Sequence, residues 1–326
     1  MKRRDFIALC GAFSIGPTPA PAQLSGTRVI GMLGPVPFEN YQDRVGAFRE
    51  GLKQSGFPDP QAIPIEYLWP GPGNIPWSQL VTELIRRRVS IIATAGDAAP
   101  HAAKAATTSV PVVFVMGGDP VEQGLVASLS RPGGNLTGAS TLNVEIHTKR
   151  IEILRELLPK ARQLFLLVNP SSKSTTELLR RETELAGAPR GFVITVVGAS
   201  SISEIDSAFE KMAESRPDAL LIGANVLFNV RSQQLGTLVA RYGIPAVYQT
   251  SEFARAGGLV SYGSSLKELF QMQGNYVGRI LSGQKPADLP IQQASRIEMS
   301  LNLKSAKALG IEVPTALLVR ADEVIE

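Results

Sequence analysis

Cysteine is almost absent from this chain of 326 residues, where it occurs once, as Cys10. Cys10 falls in a predicted export signal, so we expect the mature chain to have no thiol, no disulfide and no cysteine ligand for a metal. Histidine is nearly as scarce, with only His101 and His147, on different predicted helices. We interpret both as surface or helix-end residues. The sequence therefore offers no histidine cluster for zinc and no nearby partners for a catalytic triad.

Long apolar runs and a strong charge of one sign are also missing. No segment is apolar over the roughly 20 residues that a membrane-spanning helix needs. The chain has 33 basic and 29 acidic residues, and residues 1–22 carry three of the former and one of the latter, which leaves a net charge of +2. A nearly neutral chain does not favour nucleic acid as a partner. We expect no nucleic-acid partner.

The amino-terminal segment has the features of a cleaved export signal. Residues 2–4 are basic, residues 6–15 are mostly apolar, and residues 20–22 read Ala-Pro-Ala, which is a small-x-small cleavage pattern. We predict a signal peptide over residues 1–22, cleavage before Gln23 and a periplasmic mature protein. Because residues 3–7 also resemble the twin-arginine motif, the pattern leaves the Sec and twin-arginine routes open.

Four strand-like runs of the first half recur in the same order one domain-length later. The offsets between the paired runs are 135, 129, 128 and 134 residues, for the pairs that begin at Ile30 and Phe165, Ile63 and Phe192, Ile91 and Ala219, and Val110 and Ile244. This near-constant offset predicts one α/β unit used twice. Two similar domains enclose a cleft, and such clefts are common sites for small ligands.

Amphipathic helical patterns alternate with these strands throughout, which predicts parallel sheets built from βαβ units. The glycine-rich residues 131–140 separate the two copies, and we interpret them as the first crossing between the domains. The tail predicts a long helix from about Lys267 to Leu281 and a strand near Ile297 to Leu301. The predicted fold class is therefore α/β, with two Rossmann-like lobes.

Ligands of open parallel sheets meet the loops at the carboxyl ends of the strands. This rule selects loops in both copies, and from those loops we take the following candidate ligand-binding residues: Phe38, Tyr41, Asp97, Gly117, Asp119, Asn169, Asn225, Tyr248 and Tyr262. The five aromatic candidates, Phe38, Tyr41, Tyr248, Tyr262 and also Phe228, suit a flat or apolar ligand, although packing beneath the loops is the alternative for each.

Two kinds of role stay open for the polar candidates. Asp119, followed by Pro120 and Glu122, fits the N-cap of a helix, and it could also face the cleft. Asp97 has no such capping pattern, which favours a ligand role. Asn169 and Asn225 could bind a ligand or hold a turn. The sequence shows no nucleophile motif, P-loop or dinucleotide fingerprint, so we predict no catalytic residue, no metal and no cofactor.

Several stretches resemble a known family, the type I periplasmic substrate-binding proteins of ABC importers, in the branch of the tryptophan/tyrosine-binding-like proteins. The matching stretches, which lie along essentially the whole mature chain, include residues 105–115, 117–121, 130–138, 157–159, 167–170, 256–263 and 302–310. The resemblance implies two lobes joined by a three-crossing hinge: lobe 1 over residues 28–139 and 264–284, and lobe 2 over residues 140–263 and 285–326. The loop 96–100 departs from the threonine-proline version of the relatives.

The resemblance implies an exported binding protein that captures a small molecule, such as an amino acid or an aromatic compound, and passes it to an ABC permease in the inner membrane. We expect a monomer. Two alternatives stay open: a periplasmic sensor that presents its liganded form to a receptor kinase, and an exported enzyme that uses the cleft. The missing nucleophile–base pair disfavours the enzyme.

Overall fold

The computed structural model of the protein describes residues 28–71, 73–141, 143–294 and 296–326. The predicted signal peptide over residues 1–22, with its cleavage before Gln23, lies outside the described residues. No helix within the described ranges is both long enough and apolar enough to cross a membrane.

Thirteen strands lie in the described part of the chain. In chain order they are β1 Ile30–Leu33, β2 Ile65–Leu68, β3 Ile91–Ala95, β4 Val112–Met116, β5 Leu136–Ser140, β6 Gln163–Val168, β7 Val193–Gly198, β8 Ala219–Ile222, β9 Ala246–Tyr248, β10 Val260–Ser264, β11 Gln292–Gln293, β12 Ile297–Asn302 and β13 Glu323–Ile325.

Twelve α-helices alternate with these strands in the same ranges. They are α1 Gln42–Gln54, α2 Trp77–Arg86, α3 Ala98–Ala106, α4 Asn143–Leu157, α5 Lys173–Gly187, α6 Ile202–Ser215, α7 Val226–Val230, α8 Ser232–Tyr242, α9 Ser251–Arg255, α10 Leu266–Leu281, α11 Leu303–Ala308 and α12 Thr315–Arg320.

The strands form two sheets, one in each lobe. The first has six parallel strands in the order β11-β5-β4-β3-β1-β2. The second has seven strands in the order β13-β12-β10-β9-β8-β6-β7, and β12 is antiparallel to β10 while the other neighbours are parallel. Central strands such as β3 and β4 are buried along their whole length, as expected where helices cover both faces of a parallel sheet. The predicted pair of α/β lobes is confirmed.

The chain crosses between the sheets three times: after β5, after β10 and after β11. The second crossing leads into α10, which returns to the first lobe and packs on α1 there. Val277 and Tyr276 of α10 share a core cluster with Phe48 and Leu52 of α1. The predicted helix from Lys267 to Leu281 is therefore present, with one additional residue at its start.

Strand pairing moves two of the predicted boundaries. Residues 131–140 were expected to be a crossing, but residues 136–140 form β5, a fully buried strand that pairs with β4. The second segment of the predicted lobe 2 begins at residue 285, whereas Gln292 and Gln293 pair with β5 in the first sheet. The third crossing consequently follows β11, because those backbone hydrogen bonds hold the segment to the first lobe.

Candidate functional site

A cavity of about 550 Å³ lies between the lobes, where the carboxyl ends of the strands in the two sheets face each other. Its volume is within the range of small-molecule sites. Residues from both lobes line it, including six of the predicted candidates: Tyr41, Asp97, Gly117, Asp119, Asn169 and Asn225. The rule of strand carboxyl ends therefore selected residues that the structure brings together at this interlobe cavity.

Asp97 presents a carboxylate at the boundary between the lobes. It follows β3 and precedes α3, yet its side chain makes no capping hydrogen bond to that helix. Its Oδ2 accepts a hydrogen bond from Thr175 Oγ1 of the second lobe at 3.3 Å. Its Oδ1 is buried and has no hydrogen-bond partner in the described part of the chain. This oxygen can accept a hydrogen bond from a ligand donor.

Asp119 also lines the cavity, but its carboxylate is used locally. Oδ1 accepts from the backbone N–H groups of Val121 at 2.7 Å and of Glu122 at 3.2 Å. The predicted helix after Asp119 is wrong, because residues 120–124 form a turn rather than a helix. The capping chemistry is present without the helix. Gly117, just before this turn, lies in the lining and accepts from Thr141 Oγ1 through its carbonyl at 3.3 Å.

Asn169 and Asn225 face each other at the second-lobe side of the cavity. Asn169 Nδ2 donates to Asn225 Oδ1 at 3.1 Å. Each side chain also holds its own loop: Asn169 accepts from the N–H of Ser171, and Asn225 accepts from the N–H of Leu227 as the N-cap of α7. The structure therefore shows the turn-holding role for both residues, and it places both in the cavity wall.

Four predicted aromatic contacts lie outside the lining. Phe228 is fully buried in the second-lobe core. Tyr248 is fully buried and donates its hydroxyl to Asn229 Oδ1 at 2.6 Å, because its side chain points from β9 into the second-lobe core. Tyr262 packs against the other core cluster of that lobe. Phe38 is 40% exposed and packs edge-on against Tyr67. The strand-end rule selects a loop, but it does not determine the direction in which a side chain of that loop points.

The aromatic wall of the cavity is built by other residues. Tyr41, the one predicted aromatic that lines the cavity, packs edge-on against Phe270 of α10, with ring centroids 5.6 Å apart. Phe270 and Trp77, the first residue of α2, both line the cavity. Neither residue was predicted, because neither follows a strand. The one feature of the sequence that could have indicated them is their position in the first or second turn of a helix.

His147 and Arg150 form a buried polar pair on α4, which the sequence analysis did not place near the site. His147 is fully buried and lines the cavity, so its predicted position at the surface or at a helix end is wrong. Its Nε2 is 2.7 Å from Thr183 Oγ1. Burial lowers the pKa of His147 to about 3, and the neighbouring Arg150 adds to this effect.

The two lobes touch each other around the cavity. Besides the contact of Asp97 with Thr175, Arg44 of the first lobe lies 3.9 Å from the carboxylate of Glu252 in the second. In the described residues, no group of three or more histidine, cysteine, aspartate or glutamate side chains is placed to hold a metal ion. The two lobes are therefore in contact beside the cavity that lies between them.

Comparisons with known proteins define the family. Residues 30–325 match the model of the ABC transporter substrate binding protein family, and the chain belongs to this family. A relative from Clostridioides difficile strain R20291, named tyrosine-binding protein, is 25% identical over 268 residues, which are 81% of this chain and 76% of the relative.

Solved structures show the same fold, that of the type I periplasmic binding proteins. An ABC domain from Streptococcus pneumoniae in complex with L-Trp gives a TM-score of 0.80 at 23% identity, with 92% of this chain and all of that chain covered. A ligand-free, open substrate-binding protein with adhesive properties from Clostridium difficile gives 0.61 at 21% identity, with 91% and 99% covered. The protein is accordingly a substrate-binding protein of the ABC transporter class.

Proposed function

We propose that the protein is exported to the periplasm, binds an aromatic amino acid in the interlobe cleft and delivers it to an ABC permease of the inner membrane. The observation that carries this proposal is the composition of the cavity wall. Asp97 brings an unpartnered carboxylate oxygen, and Tyr41, Trp77 and Phe270 bring aromatic surface to the same 550 Å³ space.

Two parts of an aromatic amino acid, its ammonium and its ring, have a matching group in this wall. The ammonium donates to Asp97, since a charged hydrogen bond in a desolvated cleft is the strongest polar contact available to it. The ring packs against the aromatic residues, which favour offset or edge-on contacts with another ring. The relatives support this ligand class, because one is named for tyrosine binding and another was solved with L-Trp.

Binding favours the closed arrangement of the lobes, because only that arrangement lets residues of both lobes contact one ligand. A dissociation constant near the micromolar range corresponds to a binding free energy of about −8 kcal/mol. This affinity allows both capture and release. A permease then receives a protein whose closed shape reports that the cleft is loaded.

The test is a screen of L-amino acids by thermal shift, followed by calorimetry on wild type, Asp97→Asn and Asp119→Asn. L-Tyrosine or L-tryptophan should raise the melting temperature with concentration. Asp97→Asn should weaken binding by about 1.5–3 kcal/mol, because it removes the charged acceptor. Asp119→Asn is the matched control, since the Asp119 carboxylate already accepts two backbone N–H groups. Equal affinity of wild type and Asp97→Asn, or consumption of the ligand on incubation, would contradict the proposal.

A further inference from the structure

Arg150 is a buried cation without a counter-charge. It lies on α4 with 1% of its surface exposed, and its Nε donates to the carbonyl oxygen of Tyr262 at 2.6 Å. Its two terminal nitrogens, Nη1 and Nη2, are buried and have no hydrogen-bond partner in the described part of the chain. An unpaired buried charge is costly, by several kcal/mol, unless something supplies the opposite charge.

The surroundings of Arg150 do not neutralise it. His147, one helical turn earlier, is held neutral by burial, which lowers its pKa to about 3. Tyr248 is also held neutral, because burial raises the pKa of its phenol. Burial lowers the pKa of Arg150 itself to about 10, so the guanidinium stays protonated at neutral pH. The cluster therefore carries one positive charge that no described side chain balances.

Arg150 is not itself a lining residue, but its charge lies directly behind the cavity wall. His147, Gln249 and Ser264 all line the cavity. Arg150 bonds the carbonyl of Tyr262, two residues before Ser264 on β10, and it shares the α4 face of His147. Ser264 Oγ and His147 Nδ1 are, like the Arg150 nitrogens, buried without a partner among the described residues. Four unsatisfied polar atoms thus lie in the second-lobe wall or directly behind it.

We propose that Arg150, with Ser264, is the anion-binding group of the cleft and that its occupant is the carboxylate of the bound ligand. This inference rests on the proposed function and specifies it further. A guanidinium presents a planar fork of donors that fits a carboxylate, and the Ser264 hydroxyl adds one more donor. The ligand is then an α-amino acid zwitterion, held through its carboxylate by the second lobe and through its ammonium by Asp97 of the first.

If Arg150 binds the ligand carboxylate, the affinity of a ligand should depend on whether it carries that group. Wild type should bind L-tyrosine and L-tryptophan at least tenfold more tightly than tyramine and tryptamine, the same molecules without the carboxylate. Arg150→Met should weaken the amino acids by about tenfold to a hundredfold, because a charged hydrogen bond is lost, and should leave the amines unchanged. Arg150→Lys should give an intermediate loss, since it keeps the charge without the fork. Calorimetry on folded variants, checked by their melting curves, measures all of these.

Arg44→Met is the control for loss of a cation near the cleft, because Arg44 lines the cavity and already faces the carboxylate of Glu252. Any effect of this variant should be equal for amino acid and amine. An equal loss of both ligands in Arg150→Met would show a structural role and overturn the assignment. The ratio of amino-acid to amine affinity in wild type does not depend on the folding of any variant, so a ratio near one also overturns it.

Two further outcomes are separable. In the first, chloride replaces gluconate at constant ionic strength and raises the melting temperature of ligand-free wild type but not of Arg150→Met. If the Arg150→Met substitution also leaves the affinity for amino acids unchanged, the occupant is an inorganic anion. The carboxylate assignment is then wrong. If wild type binds no amino acid at all, the proposed function fails together with this inference. Binding that is insensitive to Arg150 overturns the inference alone.

Discussion

His147 is a residue whose protonation is coupled to folding. The hydroxyl of Thr183 donates to the carbonyl of Leu179 at 2.6 Å, so the imidazole donates to that hydroxyl through Nε2. Burial, with Arg150 as the second cause, lowers the pKa of His147 from 6.5 to about 3. Between these two values the unfolded chain binds a proton that the folded chain does not. The free energy of unfolding therefore falls as the pH is lowered from 6.5 towards 3.

His147→Gln should remove this contribution. The slope of the free energy of unfolding against pH should become shallower between pH 6.5 and 4, by up to about 1.4 kcal/mol per pH unit for one proton. Urea titrations over that pH range measure it. His101→Gln is the control, because His101 is exposed on α3. If both variants keep the wild-type slope, another group causes the loss of stability in acid.

For individual residues, the position of a loop could be predicted from the sequence more readily than the direction of a side chain. Asp97 and Asn225 could be found because each directly follows a strand of an open parallel sheet. Tyr248 could not be judged, since the last residue of a strand can point into the core or into the cleft, and here it points into the core. His147 was missed because its burial depends on α5 packing against α4, and no local pattern in α4 records that contact.

Helices α1 and α10 cross with a glycine of each at the contact. A Cβ added at Gly51 would lie 1.9 Å from the carbonyl oxygen of Gln271, and one added at Gly274 would lie 1.8 Å from the carbonyl oxygen of Phe48. Both neighbours are backbone atoms, which cannot rotate away as a side chain does. The two helices can approach this closely only because both positions lack a side chain, and this contact fixes α10 to the first lobe.

Gly51→Ala should therefore lower the free energy of unfolding by at least about 1–3 kcal/mol, the usual cost of overpacking a core contact. Gly46→Ala on the same helix is the control, because Gly46 is exposed and a Cβ there would have no neighbour within 4 Å. That variant should raise the free energy of unfolding by about 1 kcal/mol through helix propensity. Urea denaturation at neutral pH measures both. Equal effects of the two substitutions would mean that α1 and α10 can separate without loss.

The elements themselves were largely predictable, and the exceptions have physical causes. Runs such as those at β1, β3 and β6 are mostly apolar, as expected for buried parallel strands. Strand β5 was missed because its sequence, Leu-Thr-Gly-Ala-Ser, has small side chains and follows a glycine-rich turn. Its Gly138 is needed, since a Cβ there would lie 2.1 Å from the carbonyl oxygen of Phe114 in β4. The glycines of residues 131–140 indicated a loop, but Gly138 instead allows β5 to pack closely against β4.

For the whole molecule, the repeated order of four strands was enough to predict two lobes and a cleft. The repeat says nothing of how the lobes meet, because that depends on contacts between residues more than 70 positions apart. Asp97 and Thr175 are one such pair, and Gly96 and Val226 are another. The described conformation has the lobes in contact at both pairs.

Gly96 lies in that contact and allows a direct test of closure. It has φ +81, and a Cβ added there would lie 2.7 Å from Val226 Cγ2 across the cleft. Because the valine side chain is stiff, Gly96→Ala should disfavour the closed arrangement. Small-angle X-ray scattering with saturating L-tryptophan or L-tyrosine should give a larger radius of gyration than for liganded wild type, and binding should be weaker by calorimetry.

Gly124→Ala separates closure from backbone strain. Gly124 has φ +67 and no neighbour within 4 Å of an added Cβ, so its variant bears the same left-handed strain of about 1–2 kcal/mol without the interlobe clash. It should close and bind as wild type does. The double variant Gly96→Ala/Val226→Ala should recover much of the lost affinity, because removing the valine methyl groups clears the space that the alanine needs. If Gly96→Ala closes and binds like Gly124→Ala, or if the double variant shows no recovery, then contact at Gly96 does not limit closure, and the lobes must meet elsewhere when the ligand is bound.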